Sequence, residues 1–143
     1  MFSIIVDSRE KRGYDFRSYP VKVIKGKLDT GDYAIQSLAS KCAIERKSSV
    51  DWVGSITSGR ERFEREMVRG SKLDFFAVII EGKRSNIKTK CKYSLVGKKT
   101  ILNSAYHWEA KYGFGFHFAE NRRESENMVY EMFRAYVKYK VTK

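Results

Sequence analysis

The sequence predicts an α/β fold in which a mixed central β-sheet is flanked by α-helices. Short runs rich in β-branched and aromatic residues alternate along the chain with segments whose apolar residues recur at helical spacing. The run DFFAVIIE at residues 74–81 is apolar almost throughout, which is typical of a central strand buried on both faces. Residues 124–139 place their apolar side chains along one helical face. A buried sheet with helices packed against it satisfies both patterns.

Four strands are predicted in the first third of the chain. They cover residues 2–6, 21–27, 32–36 and 41–47, and turn-forming residues such as Asp29-Thr30-Gly31 separate them. We interpret the last three strands as an antiparallel meander. In such a meander Asp32 and Glu45 occupy neighbouring strands.

Helices and two more strands account for the remainder of the chain. Ser48 or Ser49 caps a helix, and the motif Thr57-Ser58-Gly59 marks its end. The elements that follow are a helix over residues 60–70, a strand over 74–81, a mobile basic loop over 82–92, a helix over 94–112, a strand over 114–120 and a helix over 124–139.

The composition indicates one globular domain with a polyanionic partner. A chain of 143 residues, 42% of them hydrophobic, is long enough to bury a core, and no linker or repeat divides residues 1–143. Its 29 Lys and Arg against 17 Asp and Glu leave a net charge of +12, which favours nucleic acid through phosphate neutralisation. No apolar stretch approaches the roughly 20 residues of a spanning helix, and the first apolar run is too short for a signal peptide. We therefore expect an intracellular protein, in the cytoplasm or in a eukaryotic nucleus, that does not enter a membrane.

The cysteines argue against two classes of small stabilised domain. Cys42 and Cys91 are the two cysteines of the chain, and they lie far apart with no CxxC or Cys/His cluster around them. A disulfide framework and a structural zinc site both need more cysteines or closer spacing. Neither is indicated here.

The charged triplet Glu45-Arg46-Lys47 is the strongest candidate for a functional site. Asp32 and Glu45, on neighbouring predicted strands, supply the hard oxygen ligands that Mg²⁺ and Mn²⁺ prefer. Lys47 follows Glu45 by two positions and therefore projects from the same face of its strand. This combination is typical of metal-dependent phosphodiester cleavage. Such a triplet also occurs as a solvated surface cluster in a chain that is 32% charged, so its context has to decide.

Five segments together resemble a known family. They are VDSRE at 6–10, LDTGDYAI at 28–35, AIERKSSVD at 43–51, GSITSGRERF at 54–63 and FFAVIIEG at 75–82. In order and spacing they resemble the nuclease domain of the XPF family of structure-specific endonucleases, including archaeal Hef-type proteins, whose signature is GD, a gap, ERK, three residues and D. The resemblance is strong over about residues 3–82, and it implies the restriction-endonuclease-like PD-(D/E)XK fold.

The chain also departs from this family. Family enzymes usually append a helix-hairpin-helix domain that dimerises and binds duplex DNA, whereas this sequence ends at Lys143. We therefore expect a stand-alone nuclease domain, a form that suits a virus or phage. The C-terminal helices offer apolar surface for a homodimer, and without the appended domain we expect that pairing to be weak or absent.

The resemblance implies a role for each residue of the motif. Asp32, Glu45 and the backbone carbonyl of Arg46 are the implied ligands of Mg²⁺ or Mn²⁺. Lys47 orients the attacking water and stabilises the transition state. The full implied catalytic set is Asp7, Asp32, Glu45, Arg46, Lys47 and Asp51. For Asp51 a helix-capping role at Ser48-x-x-Asp51 is an open alternative.

A further set of charged residues is expected to meet DNA. The candidates are Arg9, Glu10, Arg60, Arg62, Lys83 and Arg84. Asp7, Arg9 and Glu10 match the DxRE element of the family, although a surface ion-pair cluster would look the same. The basic residues of the helix and of the following loop would contact phosphates without sequence preference. An exposed helix face and a flexible solvated loop are the open alternatives for these residues.

The expected function is that of a metal-dependent DNA endonuclease acting on branched, flap or fork DNA. A junction resolvase or a nonspecific nuclease of the same fold is one alternative. A non-catalytic DNA-binding subunit is another, since the family contains degenerate partners. The complete set of Asp32, Glu45 and Lys47 argues against that last alternative, because a silent copy has no chemical need to hold buried like charges together.

Overall fold

The computed structural model describes residues 1–84, Ile87 and residues 97–141, and within them the predicted α/β fold is confirmed. The described strands are β1 (Ser3–Asp7), β2 (Lys22–Gly26), β3 (Tyr33–Ile35), β4 (Cys42–Ser48), β5 (Phe75–Glu81) and β6 (Gly115–Ala119). The described helices are α1 (Ser49–Ile56), α2 (Arg60–Ser71), α3 (Lys98–Tyr112) and α4 (Arg122–Tyr136), and a π-helical turn, Val137–Val141, follows α4.

The described strands form one mixed sheet in the order β2-β1-β3-β4-β5-β6. β3 is antiparallel to both of its neighbours, and all other pairs are parallel. The predicted meander was therefore wrong for β2, which pairs with the far side of β1, with Ser3 opposite Lys22. The crossing segment between β1 and β2 carries the buried side chains of Tyr14 and Phe16. Because these side chains are buried, the segment crosses over the sheet. The chain then forms β2 at the outer edge of β1.

The hairpin of β3 and β4 brings Asp32 beside β4, as the sequence predicted. Tyr33 pairs with Ile44, and the N–H of Asp32 donates to the carbonyl of Ile44 at 2.8 Å. Gly31 makes this approach possible. Its φ of 79° suits glycine, and a Cβ there would lie 3.0 Å from the Ile44 carbonyl oxygen. Gly31 is thus a steric requirement of the hairpin, and it precedes Asp32 directly.

Each face of the sheet carries its own hydrophobic core. Helices α1, α2 and α3 cover one face with a core that includes Trp52 and Trp108, and α4 covers the other face with Val129 and Phe133. Successive side chains of a strand point to opposite faces. In β4, therefore, the side chains of residues 45 and 47 point to the α2 side, and that of residue 46 points to the α4 side.

Helix α2 lies unusually close to the sheet. A Cβ on Gly70 would come within 2.4 Å of the ring of Phe76 in β5, so only glycine permits this distance. Met67, one turn earlier, is fully buried. Close packing at Met67 and Gly70 sets the height of the whole helix above the strands, including Glu66.

One predicted segment lies largely outside the described residues, and another is described over most of its length. The basic loop predicted over 82–92 is described only at residues 82–84 and Ile87, and the helix predicted over 94–112 is described from residue 97 onward.

The predicted cap of α1 is present, because Oγ of Ser48 accepts from the N–H of Asp51 at 3.1 Å. None of the described helices is long and apolar enough to cross a membrane.

Candidate active site

Asp32 and Glu45 line a cavity of about 200 Å³ at the start of β3 and the middle of β4. Oδ2 of Asp32 accepts a hydrogen bond from the N–H of Arg46 at 2.8 Å. The Glu45 side chain is only 13% exposed. The residues that line this cavity are Asp7, Arg9, Glu10, Asp29, Thr30, Gly31, Asp32, Glu45, Glu66, Arg69 and Phe76.

Burial and mutual repulsion disfavour the ionised forms of the carboxyl groups that line this cavity. Burial raises the pKa of Asp32 to about 7; the N–H of Arg46 opposes this rise, and the charge of Glu10 adds to it. Burial also raises the pKa of Glu45 well above its usual value, and the charges of Asp32 and Glu66 reinforce the effect. Nearby positive charge does not neutralise the two carboxylates, and a bound cation would do so.

Lys47 lies on the same face of β4 as Glu45, as predicted. Its Nζ is 3.8 Å from Oε2 of Glu45 and 4.6 Å from the ring centroid of Phe63 in α2. The lysine also borders a second cavity of about 440 Å³, which is lined in part by Asp51, Arg62 and Glu66. An ammonium group between a carboxylate and an open cavity can reach a molecule that enters from solvent.

The Arg46 side chain points to the opposite face and belongs to a network that sequence reasoning missed. Its Nε donates to Oε2 of Glu81 at 2.8 Å, and the hydroxyl of Tyr14 donates to the same oxygen at 2.6 Å. Burial acts to raise the pKa of Glu81, but the hydrogen bonds from Arg46 and Tyr14 outweigh it and lower that pKa. A further hydrogen bond joins Tyr14 to Ser125 in α4.

This network supports β4 from the face of the sheet opposite to Glu45 and Lys47. Arg46 Nη1 also lies 3.9 Å from Oε2 of Glu10, which accepts from the Tyr33 hydroxyl at 3.3 Å. In the sequence, Glu81 could be recognised only as a charged residue at the end of an apolar strand. That signal is weak, because strands commonly end in solvated charges.

Asp7 lines the acidic cavity, and Arg9 holds both of its carboxylate oxygens. Arg9 Nη2 and Nε donate to the two carboxylate oxygens of Asp7 at 2.7 and 3.1 Å. Burial acts to raise the pKa of Asp7, but the hydrogen bonds and charge of Arg9 keep that pKa below its usual value. Arg9 Nη2 also donates to the carbonyl of Leu28 at 2.7 Å. The pair therefore ties the end of β1 to the segment that precedes Asp32.

Glu10 and Asp51 occupy positions that bear on their predicted roles. Glu10 lines the acidic cavity, and its predicted contact with DNA stays a prediction. Asp51 is exposed at the start of α1, where its N–H is capped by Ser48. Within the described residues no ion pair joins Asp51 to Arg46 or Lys47, and Asp51 meets Lys47 only across the second cavity.

The basic residues predicted to contact DNA each have their own local surroundings. Arg62 borders the same cavity as Lys47. The Arg60 guanidinium lies 5.0 Å from the ring centroid of Trp108 and pairs with Glu64, and Lys83 pairs with Glu120. Arg84 Nη2 donates to the Tyr106 hydroxyl at 2.9 Å. Of these residues, Arg62 is the one that lines a cavity together with Lys47.

A divalent cation fits the residues of this site. Oxygen ligands from Asp32 and Glu45, with the neighbouring Arg46 carbonyl, form the donor set that Mg²⁺ and Mn²⁺ prefer. Oε2 of Glu66 is buried without a hydrogen-bond partner at the same cavity, which signals a missing polar neighbour. Within the described residues no group of three or more His, Cys, Asp or Glu side chains is close enough to hold one ion. The protein share would thus be two carboxylates and a carbonyl, with water completing the shell.

Comparison with known proteins places the chain in a family. The model of the ERCC4 domain matches residues 6–132. The chain belongs to the ERCC4 domain family. This family comprises DNA nucleases of the XPF type, so the resemblance inferred from the sequence motifs is confirmed. No curated protein sequence matches the chain significantly.

Solved structures share the fold of this ERCC4 domain. One is XPF from Aeropyrum pernix in complex with DNA, with a TM-score of 0.76, 19% identity, and coverage of 100% of this chain and 68% of that chain. Another is XPF from Aeropyrum pernix alone, with a TM-score of 0.76, 20% identity, and coverage of 93% of this chain and 60% of that chain. At these identities the likeness establishes the fold, and the chain spans about two thirds of the length of those structures.

Proposed function

We propose that this ERCC4 domain is a Mg²⁺- or Mn²⁺-dependent DNA endonuclease. The observation that carries the proposal is the pair of buried carboxylates, Asp32 and Glu45, with raised pKa values beside Lys47. A basic chain with a net charge of +12 supplies the attraction for a polyanionic substrate. The similar fold of the Aeropyrum pernix XPF–DNA complex supports DNA as that polyanion.

Each residue of the site has a part in this reaction. Asp32, Glu45 and the Arg46 carbonyl would hold the metal ion. The bound ion would supply polarisation of the scissile phosphate and a lower pKa of water. Lys47 orients the attacking water and stabilises the negative charge that builds up on the phosphoryl oxygens. Asp7, through Arg9, keeps the Asp32 segment in place, and Asp51 places a carboxylate at the start of α1, in the cavity that Lys47 also lines.

The proposed substrate is branched, flap or fork DNA inside a cell or a virus-infected cell. Arg62 is the first candidate for a phosphate contact, because it shares a cavity with Lys47. Arg9, Arg60, Lys83 and Arg84 extend the basic surface, and contacts of this kind give affinity without sequence preference. A homodimer through the C-terminal helices remains part of the proposal, and the mass of the protein in solution tests it.

A cleavage assay with matched variants tests the function. Purified protein is offered flap, fork, four-way junction and linear duplex DNA with Mg²⁺, with Mn²⁺ or with EDTA. We expect metal-dependent cuts at branched substrates and their loss in Asp32→Ala. The exposed carboxylate variant Glu61→Ala and the exposed lysine variant Lys25→Ala serve as controls and should cut normally. Absence of cleavage by the wild-type protein on every substrate and with both metals would refute the proposal.

A further inference from the structure

Glu66 in α2 contains a buried polar atom that lacks a partner. Among the described residues, its Oε2 is the one buried side-chain nitrogen or oxygen without a hydrogen bond. Nor does Glu66 form an ion pair with any described residue, although Arg62 and Arg69 lie one turn away on the same helix. A buried carboxylate oxygen is unstable unless a donor or cation satisfies it. The position thus calls for water or a cation beside Oε2.

Glu66 lies between the two cavities of the candidate site. It lines the acidic cavity with Asp32 and Glu45, and it also lines the second cavity with Lys47. The fully buried Met67 and the contact of Gly70 with Phe76 hold this part of α2 against the sheet. The backbone of α2 therefore presents Glu66 to both cavities, with its Oε2 buried between them.

The charge of Glu66 acts on both proposed metal ligands. It raises the pKa of Asp32 and that of Glu45, so the three carboxylates repel one another across the cavity. Removing a carboxylate from such a cluster should stabilise the metal-free protein. A bound cation would explain why a residue that destabilises the metal-free protein occupies this position.

We propose that Glu66 is a further acidic residue of the metal site, acting through water. This inference rests on the proposed function. Direct ligation is disfavoured, because no three acidic side chains of the described residues lie close enough to hold one ion. Glu66 instead accepts a hydrogen bond from a water molecule in the hydration shell of the ion, on the side that faces Lys47. Hydrogen-bonding partners of this kind strengthen metal binding and orient the shell.

Metal binding without DNA tests the role of Glu66 directly. The variant Glu66→Gln keeps the shape of the side chain and removes its charge, and Glu61→Gln is the matched control because its side chain is 94% exposed on the same helix. Mn²⁺ affinity is measured by electron paramagnetic resonance at pH 8. We expect Glu66→Gln to weaken Mn²⁺ binding by about 10–100-fold and Glu61→Gln to leave it unchanged.

Melting temperatures separate this role from a merely structural one. At pH 8 without metal we expect Glu66→Gln to melt higher than the wild-type protein, and with saturating Mn²⁺ we expect a smaller gain than the wild-type protein shows. A lower metal-free melting temperature with an unchanged Mn²⁺ affinity would overturn the inference. If Glu66→Gln does not fold, Glu66→Asp takes its place, with weaker Mn²⁺ binding as the expected result.

The two proposals fail in different ways. A wild-type protein that binds no Mn²⁺ and cuts no DNA contradicts the proposed nuclease function itself. A wild-type protein that binds Mn²⁺ and cuts DNA, together with a Glu66→Gln variant of equal Mn²⁺ affinity, contradicts only the role of Glu66.

Discussion

The backbone N–H of Arg46 donates a 2.8 Å hydrogen bond to Oδ2 of Asp32. This bond joins the residue before β3 to the centre of the ERK triplet, and it brings one proposed metal ligand next to the other. The bond also favours the ionised form of Asp32, in opposition to burial.

The raised pKa of Asp32 predicts a pH-dependent stability of the metal-free protein. The pKa is about 7 in the folded chain, whereas an unfolded aspartate titrates near its ordinary value of 3.8. Between these values the folded state binds the extra proton, so stability is lost as pH rises from about 4 to 7. We expect a loss on the order of 1–3 kcal/mol, measured by urea unfolding at pH 5 and pH 8 in EDTA. Asp32→Asn should reduce this dependence to the part that Glu45 contributes, and an Asn variant that follows the wild-type profile would contradict the assignment.

Lys47 is predicted to serve the chemical step more than DNA binding. Its ammonium lies 3.8 Å from Glu45 in a fixed position over Phe63, as a preorganised charge for the transition state requires. We expect Lys47→Ala to reduce single-turnover cleavage by about 10²–10³-fold, with duplex affinity within a few-fold of wild type. Lys25→Ala, on the exposed edge strand β2, is the control. Equal losses of cleavage and of affinity would assign Lys47 to binding instead.

Gly31 and Gly54 are predicted to respond in opposite directions to the same substitution. Gly31 has a φ of 79°, and a Cβ would lie 3.0 Å from the Ile44 carbonyl, so Gly31→Ala should destabilise the fold by about 1–3 kcal/mol. Gly54 lies inside α1 with no atom near its missing Cβ, so Gly54→Ala should stabilise the fold by about 0.5–1 kcal/mol. Chemical denaturation measures both. A neutral Gly31→Ala variant would show that the hairpin relaxes without cost.

Glu81 is predicted to support the site from the opposite face of the sheet. Arg46 and Tyr14 both donate to its Oε2, so Glu81→Leu leaves a half-buried guanidinium and a buried hydroxyl without their acceptor. We expect a loss of about 1–3 kcal/mol in the free energy of unfolding, together with weaker Mn²⁺ binding through displacement of Arg46. Glu120→Gln, at an exposed ion pair with Lys83, should change stability by about 0–1 kcal/mol. Comparable losses in the two variants would argue against the bracing role.

Local patterns were sufficient for much of the fold and for the centre of the site. The strand period places Glu45 and Lys47 on one face whatever the rest of the chain does. The Gly31-Asp32 turn then required only a hairpin with β4 to bring Asp32 close. Helix α1, its Ser48 cap and the buried strand β5 also follow from short stretches of sequence.

Partners that are distant in the sequence escaped prediction for a physical reason. The alternation of β2 does not say which strand it joins, and the burial of Tyr14 and Phe16 in the crossing segment sends it to the outer edge of β1. Glu66 and Glu81 look like ordinary surface charges in the sequence. Their burial depends on contacts with elements far away in the chain.

The sequence by itself determined the α/β class, the family and the proposed catalytic centre of Asp32, Glu45 and Lys47, because these follow from local periodicity and a closely spaced motif. Only the tertiary structure decided the strand order and the surroundings of that centre. The close approach of α2, permitted by Gly70, brings Glu66 to the acidic cavity. Burial then sets the pKa values of Asp32 and Glu45, since the desolvation of a charge depends on everything packed around it.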